Sequence, residues 1–259
     1  MSERSSYEPG TPSWADLSTT DLHGALSFYG ALFGWEFEDM GEESGHYQQA
    51  YVRGKRVAGI GPTPPGAPPF AAWTTYLSGT DVDAHAAAIG EAGGQVLMGP
   101  IDIFEEGRML VGQDPTGAPF GIWEPGRHHG AQLVNEDAAM TWNELLTRDI
   151  DAATAFYGAV LGLAFDDLPD TADGSYKLLK VGERVVGGIW SMTDDVPADT
   201  PPYWLTYFHL DDVDAGFGRV RELGGEVLRE PLDSPYGRHA PVRDPQGAVF
   251  SLIRSPFQE

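Results

Sequence analysis

The stretch "WADLSTTDLHGALSFYGALFGWEFED" beginning at Trp14 returns as "WNELLTRDIDAATAFYGAVLGLAFDD" beginning at Trp142. A repeat of this kind constrains the fold more tightly than composition does, because each copy has to be a structural unit that stacks or pairs with the other. Trp14 pairs with Trp142, Asp16 with Glu144, Asp21 with Asp149 and Gly34 with Gly162. The match runs on with small shifts: "GKRVAG" returns as "GERVVG", "WTTYLSGTDVDA" as "WLTYFHLDDVDA", and "GRMLVGQDPTGAPF" as "GRHAPVRDPQGAVF". Two homologous domains follow, 9–126 and 137–256, with the polar stretch 127–136 read as a linker.

Each domain divides again. "SWADLST" alternates as a half-buried strand does. Thr20 or Asp21 is placed to cap a helix whose apolar stripe is Leu22, Ala25, Leu26, Tyr29, Leu32 and Phe33, and Gly34 stands where a C-terminal glycine ends it. Three short strands follow, "WEFED", "YQQAYV" and "RVAGI". The second half repeats the order: strand "WTTYLS", a helix over about Asp83–Ala92, then "QVLM", "GRMLVGQ" and "PFGIWE", with "DPTG" as a turn. The chain thus reads as α+β, four tandem βαβββ units. The proline-rich "PTPPGAPPF" and "PADTPPYW" read as stiff crossovers between units.

Composition narrows the partners. Net charge is −23, from 39 acidic and 16 basic residues, which repels nucleic acid and anionic membranes and favours a cationic ligand over an anionic one. There are no cysteines, so neither disulfides nor thiolate chemistry enter. The opening residues lack the apolar stretch of a secretion signal, and no run is long enough to span a bilayer. A cytoplasmic protein is the expectation.

The helix "FYGALFGW", the "DVDA" helix start, the helix-ending Gly-Gly and the "DPxGAxF" turn together resemble the vicinal oxygen chelate superfamily, the glyoxalase, bleomycin-resistance and extradiol-dioxygenase group. The resemblance covers nearly the whole chain, twice, and is nearest to two-domain glyoxalase-like proteins of the mycobacterial culture-filtrate antigen or "hydroxylase" kind. It implies that two units pair to close a cup around a small ligand, so that this chain carries two cups. It also implies a divalent metal, bound at positions on the first, fourth, fifth and last strands. Those positions here are Trp14, the stretch Val57–Gly61, Thr74 and Gly121 in domain 1, and Trp142, the stretch Val185–Trp190, Leu205 and Ser251 in domain 2. None is a metal-ligand type, so no cofactor is expected. A divalent metal near His209, with His239 and Glu144, is the alternative.

If Trp14 faces the cup, alternation sends Asp16 the same way, and Trp142 takes Glu144 with it. Each cup then pairs an aromatic wall with an inward carboxylate that apolar surroundings could tune as an acid or base. Asp16 and Glu144 are the candidate catalytic residues. Trp14, Thr74, Tyr76, Trp123, Trp142, Tyr207, His209, Tyr236, Arg238 and His239 are the candidate ligand contacts, with core packing the competing role for Tyr76 and Tyr207. Arg108 and Arg238 are possible partners of the two carboxylates, and Trp35, Trp73 and Trp204 are expected between sheet and helix. The reading is a small-molecule binder without a metal, for an aromatic or cationic compound, in detoxification, resistance or secondary metabolism; the alternative is an enzyme of the same fold. A monomer suffices for such a chain, and a homodimer is compatible with it.

Overall fold

The computed structural model describes residues 2–64, 66, 69–168, 175–193 and 196–256. The first unit is β1 (Pro12–Thr19), α1 (Leu22–Phe33), β2 (Glu36–Asp39), β3 (Gln48–Val52) and β4 (Lys55–Pro62). The second is β5 (Ala72–Ser78), α2 (Val82–Glu91), β6 (Gln95–Ile103), β7 (Gly107–Gln113) and β8 (Pro119–Pro125). The third is β9 (Met140–Thr147), α3 (Ile150–Leu161), β10 (Ala164–Asp167), β11 (Tyr176–Val181) and β12 (Arg184–Ser191). The fourth is β13 (Tyr203–His209), α4 (Val213–Glu222), β14 (Glu226–Val227), β15 (Leu232–Ser234), β16 (Gly237–Arg243) and β17 (Val249–Arg254). In this last unit the first strand after the helix is split into β14 and β15, which both pair with β16. Part of "PTPPGAPPF" lies outside the described residues.

Local signals place the helices. Asp21 and Asp149 accept the backbone N–H of Gly24 and Ala152 at the starts of α1 and α3, and Gly34 and Gly162 end those helices at φ of 70° and 67°. That left-handed conformation suits a residue without a Cβ. Helix α2 starts one residue earlier than its sequence suggests because Asp81 caps it.

Two mixed sheets result, ordered β2-β3-β4-β1-β5-β8-β7-β6 and β10-β11-β12-β9-β13-β17-β16-β14. Within each, β1 or β9 runs parallel to β4 or β12 and antiparallel to β5 or β13, so two units join edge to edge at the centre. One face of each sheet points to the helices and the other is the concave cup.

The helices are shared between domains. Phe33 of α1 packs against Phe208 at 5.2 Å, and Tyr29 donates to Asp244 Oδ2 at 3.0 Å. In the other direction Phe156 of α3 packs against Phe120 at 5.7 Å, and Tyr157 donates to Asp114 Oδ2 at 3.0 Å. The tyrosine of each "FYG" therefore reaches the aspartate of the "DPxG" turn in the opposite domain, while that aspartate also accepts the backbone N–H groups of its own turn. Trp73 and Trp204 donate to the same two tyrosines at 3.0 and 2.8 Å, between sheet and helix as expected. Where the sheets meet, Thr75 Oγ1 donates to Asn143 at 2.9 Å and lies 3.1 Å from Thr206 Oγ1. Buried hydrogen bonds of this kind tie the copies into one body.

The stretch 127–136 is not a loose linker. Ala131, Leu133 and Val134 are buried, Ala131 N–H donates to Ser13 O at 2.8 Å and Gln132 N–H to Arg56 O at 2.7 Å. Its polar composition masked an apolar trio that joins the core.

Candidate functional site

Alternation along the central strands decides what each cup contains. On β9, Leu145 lies in the core with Phe156 and Tyr157, whereas Leu146 clusters with Trp142, Tyr207 and Ile253. Trp142, Glu144 and Leu146 therefore face the second cup, as Trp14, Asp16 and Ser18 face the first. On β13 the same face carries Tyr203, Leu205 and Tyr207.

At the centre of each cup a carboxyl is held by tyrosines. In the second, Tyr207 donates to Glu144 Oε2 at 2.9 Å, Tyr176 also donates to Glu144, and Trp142 Nε1 donates to the Tyr176 hydroxyl at 3.3 Å. In the first, Trp14 Nε1 donates to Tyr47 at 3.1 Å, and Tyr47 lies 3.5 Å from Asp16 Oδ2 with Tyr76 donating from the other side. Burial pushes the Asp16 carboxyl up to about 7 and raises Glu144 as well; the tyrosine hydrogen bonds oppose that and are outweighed. Asp16 keeps part of its side chain open to the cup, so water screens some of this effect, whereas Glu144 is buried. Burial and the neighbouring carboxyls also raise Tyr47, Tyr76, Tyr176 and Tyr207, so all four remain hydroxyl donors.

Tyr47 and Tyr176 were not singled out in the sequence. Their signal is a tyrosine at the same place in both copies, "GHYQQAYV" and "GSYKLLKV", opposite a repeated glycine. Gly59 is register partner of Asp16 and Gly188 of Glu144. A Cβ at either would overlap the Tyr47 or Tyr176 hydroxyl, so the absent side chains let the tyrosines reach the acids. Gly121 likewise leaves room for the Tyr76 ring. Tyr76 and Tyr207 are thus buried and packed, with their hydroxyls on the cup carboxyls.

The remaining candidates divide. Thr74 and Leu205 stand beside the acids, as register partners of Asp16 and Glu144. Trp123 is buried at the edge of the first cup. His239 lies 6.2 Å from the Tyr207 ring, and burial depresses its pKa, keeping it neutral. Trp190 belongs to the second cup's apolar cluster and carries the Arg229 guanidinium 5.9 Å above its ring, a cation–π contact. Tyr236 is exposed on the β15–β16 turn. Arg238 is not a cup residue: Asp214 and Asp233 hold it on the surface, and Arg108 is held the same way by Asp83 and Asp102. Neither arginine pairs with Glu144 or Asp16, because acids at the start of α4 and α2 are nearer. Two surface pockets of about 370 and 470 Å³ lie outside both cups, by Arg56 and Arg127 and by the Asp114 turn.

The family's metal positions do not fit a divalent ion. They carry indole, threonine or leucine, and glycine or serine; the Ser251 hydroxyl donates to the Ala240 carbonyl, and tyrosine rings cover the glycines. The alternative near His209 fares no better: its Nδ1 accepts the Ser255 N–H at 3.1 Å and its Nε2 is 3.2 Å from Asp211. Among the described residues no three His, Cys, Asp or Glu side chains are grouped to share an ion.

Tandem βαβββ units that close two cups define a class, and comparison with known proteins agrees. The model of the Glyoxalase/Bleomycin resistance protein/Dioxygenase superfamily matches residues 11–122 and again 139–252. The chain belongs to that superfamily. It is 44% identical over 266 residues, spanning all of both chains, to the protein named "Putative glyoxylase CFP32" of Mycobacterium tuberculosis. It is 36% identical to the anthracycline biosynthesis protein DauV of Streptomyces sp. (strain C5), covering 95% of this chain and 94% of that one. Among solved structures, the Mn(II)-bound glyoxalase from Novosphingobium aromaticivorans superposes with a TM-score of 0.62 at 16% identity, over 100% of this chain and 87% of that one, a likeness of fold. Among the described residues no helix is long and apolar enough to cross a membrane.

Proposed function

We propose that this protein binds a small aromatic molecule in its second cup without a metal, in secondary metabolism, detoxification or resistance. The observation that carries this is the Trp142–Tyr176–Glu144–Tyr207 chain of hydrogen bonds set in an apolar wall of Leu146, Leu205, Met192 and Ile253. The indoles and phenols offer flat apolar contact, and the carboxyl with its hydroxyls offers one polar anchor. The similarity to DauV, a protein named for anthracycline biosynthesis, supports a planar polycyclic ligand. The cup side chains pack on one another, so a ligand enters by displacing them. The −23 charge favours ligands carrying an amine. One chain already holds both cups, so a monomer suffices.

A second reading is favoured by the raised Glu144 and Asp16 carboxyls: an acid kept neutral by burial can donate a proton to a bound ligand and take one back. The test for both is a fluorescence titration of the purified protein with 1,4-dihydroxyanthraquinone, with the recovered compound checked by mass spectrometry. Binding lost in Trp142→Ala, with the compound recovered unchanged, supports the binder. Binding kept in Glu144→Gln, with conversion lost, supports the enzyme. Binding untouched by Trp142→Ala overturns the placement in the second cup, and stoichiometric metal on protein purified without chelator overturns metal independence.

A further inference from the structure

The two cups share a floor and differ in what lies on it. After β8 the chain turns back over the first cup. The N–H groups of Gly126 and His128 donate to the Glu106 carbonyl at 2.9 and 3.0 Å, and Arg127 N–H donates to Glu105 O at 3.1 Å. The next anchor is Ala131 on Ser13. Between these anchors the His128 ring sits between two cup tryptophans, 4.4 Å from Trp14 at 89° and 5.4 Å from Trp123 at 56°. It is only 6% exposed. Trp123 Nε1 donates to the His128 carbonyl at 2.7 Å, and Gly130 N–H donates to His128 Nδ1 at 3.1 Å. With Nδ1 an acceptor, the neutral ring carries its proton on Nε2. Edge-to-face contact on one indole and a tilted contact on another is the geometry in which a bound aromatic is held.

The second cup repeats the tryptophan and its hydrogen bond, Trp142 to Tyr176. It has Ile253 where the first has Trp123. Trp142 is partly exposed where Trp14 is buried, and among the described residues no aromatic ring is paired with it.

We propose that His128 is a tethered ligand of the first cup, and that the second cup offers the matching place against Trp142 to a free, flat aromatic ring, one per chain. The second half rests on the function proposed above; the first stands without it.

The test replaces His128 with Gly and adds free imidazole near pH 8, where imidazole is neutral. His128→Gly is expected to melt several degrees below wild type and to recover about half of that loss with imidazole, while wild type and His128→Phe shift less, and by the same amount as each other, through the second cup alone. Equal response, or none, in wild type and His128→Gly would overturn the tether. Should His128→Gly fail to fold, the indole N–H signals of wild-type protein decide: 1,4-dihydroxyanthraquinone is expected to move Trp142 and leave Trp14 and Trp123, with saturation at one equivalent. Saturation at two, or movement of Trp14, would overturn the proposal. No binding of the anthraquinone to wild type, with the imidazole rescue intact, would instead overturn the aromatic reading of the second cup and keep the tether.

Discussion

Replacing Asp16 with Asn should stabilise the protein, and by an amount that grows with pH. The carboxyl titrates near 7 in the fold against 3.8 without it, with burial the cause. The native state therefore keeps a proton that the unfolded chain has lost across that range. Stability falls wherever the native state binds more protons, so this site's contribution declines as pH rises from about 4 through 7 and stays at its minimum above. At about 1.4 kcal/mol per pH unit the full cost is about 4 kcal/mol. The partly open side chain lets water screen some of it, leaving about 2–4 kcal/mol. Asn copies the shape and hydrogen bonding of the protonated acid, accepting from Tyr47 and Tyr76. Near pH 5, where about a third of that cost is already present, the variant should melt roughly 2–4 °C higher than wild type. Near pH 8.5 the variant should melt roughly 5–10 °C higher, since each kcal/mol is worth about 2–4 °C in a chain of this size. Calorimetric scans across that pH range make the comparison, and subtraction removes the parallel cost of Glu144. A difference that does not grow with pH, or a variant less stable at pH 8.5, would refute the burial of a titrating acid. A gain on its removal would mark Asp16 as kept for something other than stability.

Tyr157→Phe strips the hydroxyl that crosses to Asp114 and should cost about 1.5–3 kcal/mol in denaturant unfolding, with Tyr29→Phe matching it through Asp244; a loss below 0.5 kcal/mol in both would show that the cross-domain bonds do not couple the copies. Gly188→Ala places a methyl on the Tyr176 hydroxyl and should cost about 1–3 kcal/mol; its Trp142 fluorescence should shift towards that of an exposed indole, and an unchanged spectrum would show that Tyr176 is not held there.

The sequence made the periodic features legible and hid the features that depend on register or on chain path. Caps, helix stripes and the facing of Trp142 with Glu144 are local, set by periods of 3.6 and 2, and Asp21, Gly34 and the strand alternation needed nothing distant. Tyr47 and Tyr176 escaped notice because their meaning lies in the pairing of β3 with β4 and of β11 with β12, which sets each ring over Gly59 or Gly188 and which no single window contains. Arg238 misled for the same reason. It looked like a partner for a cup carboxylate, but Asp214 at the start of α4 is 24 residues away in the chain and nearer in space. His128 lay in a stretch whose polarity spoke for a linker, and only the path of that stretch shows it lodged between Trp14 and Trp123. That last case bears on why the copies diverged. Two copies in one chain are joined by a single connecting segment, so only one cup can have that connection folded over it. A duplication that begins symmetric is made unequal by its own junction. Trp190, Tyr203 and Arg229 stand where the first copy has Gly61, Ala72 and a different loop, so the cup without that connecting segment is lined differently.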